Sequence, residues 1–112
     1  MLAWKPNWEQ ARQRHIGWWQ HRDLVVQLDT PFIDSPLHEG VQAPPPPRDI
    51  KAYYTDGAWR AQHNTYRLSK NLTGFETLPI ADIMIGPGSL ALYLGSEPGM
   101  TPETVWFNPV FM

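Results

Sequence analysis

Cysteine is missing altogether from the 112 residues, which excludes a disulfide framework, a thiolate zinc site and a cysteine nucleophile. An excess of either charge is missing too. Nine Lys and Arg face eleven Asp and Glu, for a net charge of −2, so there is no polycationic surface of the kind that non-specific nucleic-acid binding uses. No apolar run approaches the roughly 20 residues that a membrane helix needs. The opening residues Met1-Leu2-Ala3-Trp4-Lys5-Pro6 hold no apolar signal core. These absences predict a soluble, cytoplasmic protein without a nucleic-acid or membrane partner. The length suits one domain or part of one, and it is enough to bury a core without covalent staples.

What is present in excess is tryptophan and proline: six Trp and twelve Pro, the latter roughly double the average share of about 5%. So many indoles either build a large core or form a stacking platform for a flat or sugar ligand. The stretch that organises the chain is 78–111. Its first part, 78–85, is a mostly apolar run interrupted by Asp82, which reads as a buried parallel strand covered by helices on both faces. Gly86-Pro87-Gly88 then turns the chain into a short helix from Ser89, with Leu90, Leu92, Tyr93 and Leu94 as helical core and Gly95 and Pro98-Gly99 as the stop. A second apolar run, 105–111, reads as the next strand. Gly86-Pro87-Gly88 lets the backbone approach a neighbour or a ligand closely, and N–H groups at the helix start suit an anion. It lacks both the GxGxxG and the P-loop pattern.

Upstream, Pro6-Asn7-Trp8-Glu9-Gln10 opens a helix, with Asn7 as cap and Gln10 in the capping-box position. Trp8, Ala11, His15, Trp18, Trp19 and Arg22 recur at helical spacing and form a broad aromatic face. On that face His15 reads as a packed or hydrogen-bonded residue, ahead of a catalytic one. Residues 24–28 are the first strand, ending at Asp29-Thr30-Pro31. An Asp at the C-terminal end of a strand is where α/β folds place chemistry, although Asp before Thr-Pro is also an ordinary turn residue. The prolines of 43–47 predict an extended spacer. His38-Glu39 supplies too few ligands for a metal. A second helix follows Tyr53-Tyr54, with Thr55 or Asp56 as cap, a thin stripe of Ala58, Ala61, Thr65, Leu68 and Leu72, and Gly74 as its stop. Arg60, His63, Arg67 and Lys70 read as its solvated face. Asn71-Leu72-Thr73 matches a glycosylation sequon without a secretion signal to make it relevant.

Several of these segments together resemble the N-terminal part of uroporphyrinogen-decarboxylase-like proteins, a broad family that includes cobalamin-linked methyltransferases, and its uncharacterised branch above all. They are Trp4-Lys5-Pro6-Asn7-Trp8 with Trp18-Trp19, Tyr54-Thr55-Asp56, Ile85-Gly86-Pro87-Gly88 with Leu90-Ala91-Leu92-Tyr93-Leu94-Gly95, and Thr104-Val105-Trp106-Phe107-Asn108-Pro109. The resemblance implies a (β/α)8 barrel, of which this chain is too short to be the whole, since eight units need at least about 200 residues. The fold expected is therefore α/β, a partial barrel of two to three parallel strands with helices, incomplete as a single chain. It would be one partial domain over 1–112, made of an N-terminal helix (1–23), a strand and proline loop (24–49), and a helix with a strand–Gly-Pro-Gly–helix–strand unit (50–112). The family's arginine-rich substrate motif is absent, and the metal ligands of the methyltransferases lie far downstream, so no cofactor is expected in this chain.

In such a barrel the strand ends would carry Asp29 as a candidate acid/base, Thr30 beside it, the backbone of Gly86, Pro87 and Gly88 against an anionic group, Trp106 as an apolar wall and Asn108 as an orienting group. Catalysis needs groups preorganised on several strands, so a decarboxylase- or methyltransferase-like fragment is not expected to act alone. A homo-oligomer or the missing C-terminal part of the barrel would complete it. Two other readings stand beside this one. The first is a small-ligand or carbohydrate binding module that uses Trp18, Trp19, Trp59 and Trp106. The second is an assembly protein that pairs through its terminal strand or proline segment.

Overall fold

The computed structural model describes residues 4–30, 40–86 and 88–110. In chain order the elements are α1 (Trp8–Trp19), β1 (Gln27–Thr30), α2 (Ile50–Thr55), α3 (Gly57–Ser69), β2 (Leu72–Phe75), α4 (Ser89–Tyr93), β3 (Pro98–Met100) and β4 (Val105–Phe107). They divide between two compact units: unit one, residues 1–43 with 64–81, and unit two, residues 44–63 with 82–112.

Unit one is built on α1 and the antiparallel pair β1–β2, in which Gln27 faces Phe75 and Thr30 faces Leu72. Asn7 precedes α1 as expected but makes no side-chain cap. Its amide instead donates to the Phe75 carbonyl at 3.1 Å. The helix ends in a double closure: His21 N–H donates to the Trp18 carbonyl and Arg22 N–H to the Gly17 carbonyl. This turn places His21 at φ 54, in the left-handed region that usually selects glycine. Gly17 is buried because the Asp23 carboxylate lies where a side chain would go. Of the expected aromatic face, Ala11 is buried, but Trp18 and Trp19 are exposed.

The interior of unit one is mainly polar. Lys5, Ser69, Glu76 and Thr77 are buried, with Ala11 as the buried apolar side chain among the described residues. Glu76 N–H donates to the Val26 carbonyl, so the trans peptide before it turns the Phe75 carbonyl to the opposite edge of β2. The Lys5 ammonium takes that carbonyl at 2.6 Å and the Thr73 carbonyl at 2.8 Å. An open strand edge, which would otherwise invite another strand, is thereby closed by a charged group. On the other strand, a Glu76 carboxylate oxygen accepts from Val26 N–H at 3.0 Å, and the Thr77 hydroxyl takes the Leu28 N–H and donates to the Leu28 carbonyl. His15 Nε2 meets the Glu76 carbonyl at 2.9 Å, the hydrogen-bonded role expected of it.

In unit two, Asp49 caps α2 by accepting from Ala52 N–H at 2.7 Å, and Asp56 accepts from Trp59 N–H at 3.0 Å at the start of α3. Arg60 is not solvated. Its guanidinium donates to the carbonyls of Tyr54, Asp82 and Met84 at 2.9 to 3.0 Å. The apolar stripe Ala58–Ala61–Thr65 of α3 is the exposed side. The β3–β4 hairpin is antiparallel, with Gly99 opposite Trp106. Tyr54, buried with Ala52 and Val105, donates its hydroxyl to the Thr101 carbonyl at 2.7 Å. Residues 43–47 form no helix or strand, and the Pro45 carbonyl receives Trp59 Nε1 at 2.7 Å.

The expected parallel sheet is overturned. Both sheets are antiparallel pairs, and no parallel strand pair or barrel is present among the described residues. Residues 78–84, the proposed buried strand, form no strand at all. The physical reason lies in Asp82. Its carboxylate accepts from Met84 N–H at 3.0 Å, a local turn. Arg60 meanwhile takes the Asp82 and Met84 carbonyls. The backbone groups that a ladder would use are already engaged. The first strand also begins later than expected, at Gln27, and Gly74, read as a helix stop, lies inside β2 against Leu28.

Candidate functional site

The proposed site residues fall in both units. Asp29 and Thr30 belong to unit one, while Gly86, Gly88, Trp106 and Asn108 belong to unit two. Pro87, together with His38 and Glu39, lies outside the described residues.

Asp29 lines a cleft of about 320 Å3 with Arg67, Leu68, Asn71, Leu78 and Ile80 among its walls. Its carboxylate accepts from the Asn71 amide at 3.2 Å. Thr30, at the end of β1 opposite Leu72, is not among the lining residues. Arg67 and Asn71 carried no functional signal in the sequence beyond charge and a sequon. Only the pairing of β1 with β2, together with the last turns of α3, brings them beside Asp29.

The Gly-Pro-Gly turn approaches a neighbour, one of the two possibilities open from the sequence. Gly86 has φ +70 and lies so close to Val105 that a Cβ would sit 2.9 Å from the Val105 Cβ and 3.0 Å from its carbonyl oxygen. A side chain at Gly88 would run into the Phe107 ring. Both glycines therefore serve the packing of this turn on β4. Ser89 tightens the turn by donating its hydroxyl to the Gly86 carbonyl at 3.2 Å. Asn108 is exposed, and its N–H donates to the Glu97 carbonyl at 3.1 Å, extending the hairpin ladder.

The feature that stands out in unit two is α4. Leu90, Tyr93 and Leu94 follow at i, i+3 and i+4, which puts them on one helix face. They are 72%, 85% and 67% exposed, reversing the usual arrangement of an amphipathic helix. Ile83 (81%) and Trp106 (68%) are exposed in the same unit, whose buried apolar residues among the described ones are Ala52, Tyr54 and Val105. Exposed apolar clusters of this kind mark interaction surfaces. Trp18 and Trp19, in unit one, meet edge to face at 5.1 Å and 68°, and Trp59, in unit two, stacks on His63 at 4.8 Å.

Two perturbed groups mark the interiors. Burial lowers the Lys5 ammonium from its usual 10.5, against the opposing attraction of Glu76. Burial raises the Tyr54 hydroxyl from its usual 10.0, with Tyr53, Glu103 and Asp82 adding to it and Arg60 opposing. Both side chains donate to backbone carbonyls, which is a structural role. Among the described residues no group of three His, Asp or Glu is placed to hold a metal ion.

The description of the chain as a TIM barrel is corrected by its antiparallel sheets, and no family evidence supports the descriptions decarboxylase-like or methyltransferase-like. Compared with known proteins, the chain matches no protein-family model, no curated protein and no solved structure.

Proposed function

We propose that this chain is an assembly module, which covers the exposed Leu90–Tyr93–Leu94 face of unit two with a second copy of the chain. The observation that carries this reading is the Leu90–Tyr93–Leu94 stripe of α4, apolar and turned to water. Each Å2 of such surface removed from water contributes roughly 25 cal/mol. Exposed Tyr93 and Trp106 are residue types that dominate interface energetics. A net charge of −2 sets up little repulsion between copies. The contact runs through side chains rather than through added strands. Gly86 lies against the Val105 carbonyl of β4, and β3 opens with Pro98, which has no N–H to offer.

Size-exclusion chromatography with light scattering tests the reading. The purified chain is expected to run as a dimer or larger at micromolar concentration, and the double variant Leu90→Ser/Tyr93→Ser as a monomer with unchanged circular dichroism. A wild-type chain that stays monomeric under those conditions removes the proposal.

A further inference from the structure

The cleft of unit one holds two opposite charges that do not neutralise each other. Asp29 and Arg67 both line it, yet no ion pair joins them, and among the described residues the Arg67 side chain has no hydrogen-bond or ion-pair partner. The Asp29 carboxylate is engaged only by the Asn71 amide among the described residues, through one oxygen. That amide orients the carboxylate while leaving its second oxygen for another donor. Leu68, Leu78 and Ile80 give the cleft an apolar wall beside the polar Gln27, Asn64, Thr73 and Thr77. At about 320 Å3 the cleft falls at the small end of ligand sites, which run roughly from 300 to 1,000 Å3.

We infer that this cleft binds a free α-amino acid with an aliphatic side chain. A cation and an anion attached to one carbon of a small molecule match a carboxylate and a guanidinium lining one cleft. The ligand's ammonium donates to Asp29, its carboxylate takes the planar fork of Arg67, and its side chain lies on Leu68, Leu78 and Ile80. An arginine that no protein acceptor engages needs no internal bond broken before it binds a carboxylate, and the bidentate geometry gives it direction. A peptide terminus offers only one of the two charges, so the pair selects the free amino acid. The inference concerns unit one and is independent of the assembly proposed for unit two.

Isothermal titration calorimetry with L-leucine, L-leucinamide and 4-methylpentanoate tests it on the full chain. Leucine is expected to bind saturably. Leucinamide lacks the carboxylate and 4-methylpentanoate the ammonium, and each is expected to bind about tenfold to a hundredfold more weakly, the weight of one charge-assisted contact. Asp29→Asn and Arg67→Gln, both at exposed positions, should each weaken leucine by a similar factor without changing the circular dichroism spectrum or the thermal midpoint. Arg67→Gln should also abolish the discrimination against leucinamide. Absence of saturable leucine binding overturns the inference, as does equal affinity for the three compounds or an affinity that neither substitution alters.

Discussion

The two units solve the same problem in opposite ways. Unit one has little buried apolar matter and closes itself with polar groups: Lys5 seals one edge of the β1–β2 pair, while Glu76 and Thr77 bind the backbone of β1. Unit two uses one buried tyrosine, one buried valine and an arginine that gathers three carbonyls; both units expose large apolar side chains, and in unit two three of them, Leu90, Tyr93 and Leu94, fall on one helix face. A two-stranded pair is marginal in water by itself, so each unit depends on what braces its hairpin. The difference teaches where each is vulnerable. Unit one depends on a few fully satisfied polar contacts, since among the described residues no buried side-chain polar atom lacks a partner. Unit two depends on burial that it does not complete by itself.

The sharpest way to break this contrast is Lys5→Met. It keeps the length of the side chain and removes the ammonium, so the Thr73 carbonyl loses its Lys5 donor, the Phe75 carbonyl keeps only the Asn7 amide, and Glu76 loses a nearby positive charge. The expected loss is about 3 kcal/mol of unit-one stability, in the range for breaking a buried charged contact. Urea unfolding of protein labelled with 5-fluorotryptophan, followed by 19F signals of Trp8 and Trp106, should show the Trp8 transition moving to lower urea and the Trp106 transition moving much less. A common shift of both would mean that the units do not differ in this way.

An intermediate effect comes from alkaline pH, where the two interiors respond with opposite sign. Lys5 has a lowered folded pKa, so between that value and the usual 10.5 the unfolded chain binds more protons, and unit one gains stability as pH rises through this window. Tyr54 has a raised folded pKa, so above the usual 10.0 the unfolded chain releases a proton that the folded one keeps, and unit two loses stability. The same 19F midpoints, measured from about pH 8.5 to pH 10.8, should diverge. Tyr54→Phe should flatten the slope for unit two. Parallel slopes in the wild type would contradict the assignment.

The smallest effect concerns how helices end. Both α1 and α4 close with a residue at positive φ: His21 at 54° in unit one and Gly95 at 91° in unit two. His21 bears the steric cost that glycine escapes. His21→Gly should therefore raise the unit-one unfolding midpoint by up to about 1 kcal/mol, whereas Gly95→His should lower that of unit two. A destabilising His21→Gly would show that the imidazole makes up for its backbone conformation.

Much of the local structure was legible in the sequence. Asn7 before Trp8, Asp56 before Gly57 and Gly95 after Leu94 mark helix ends as expected, because turn and cap chemistry acts over a few residues. The pairing of strands was not. Leu72–Phe75 reads as a helix end until Gln27–Thr30 is seen beside it, and nothing in a sequence marks Lys5 as the group that will bind that strand's carbonyls. The candidate sites divide in the same way. Asp29 was singled out for its place at a strand end and does line a cleft, but its companions Arg67 and Asn71 come from segments that only the fold brings together. Gly86 and Gly88 were recognised as points of close approach, and the identity of the neighbour, β4, was a tertiary matter.

By itself the sequence determined the covalent limits of this protein, its near-neutral charge, its helix ends and its glycine turn, since each depends on residue chemistry or on neighbours along the chain. Tertiary structure alone decided which apolar residues lie inside. Apolarity says that residues 78–94 gain by leaving water; it does not say what will cover them. Asp82 and Arg60 tie up the backbone that would have formed a strand, and Ile80, Ile83 and Met84 are left exposed.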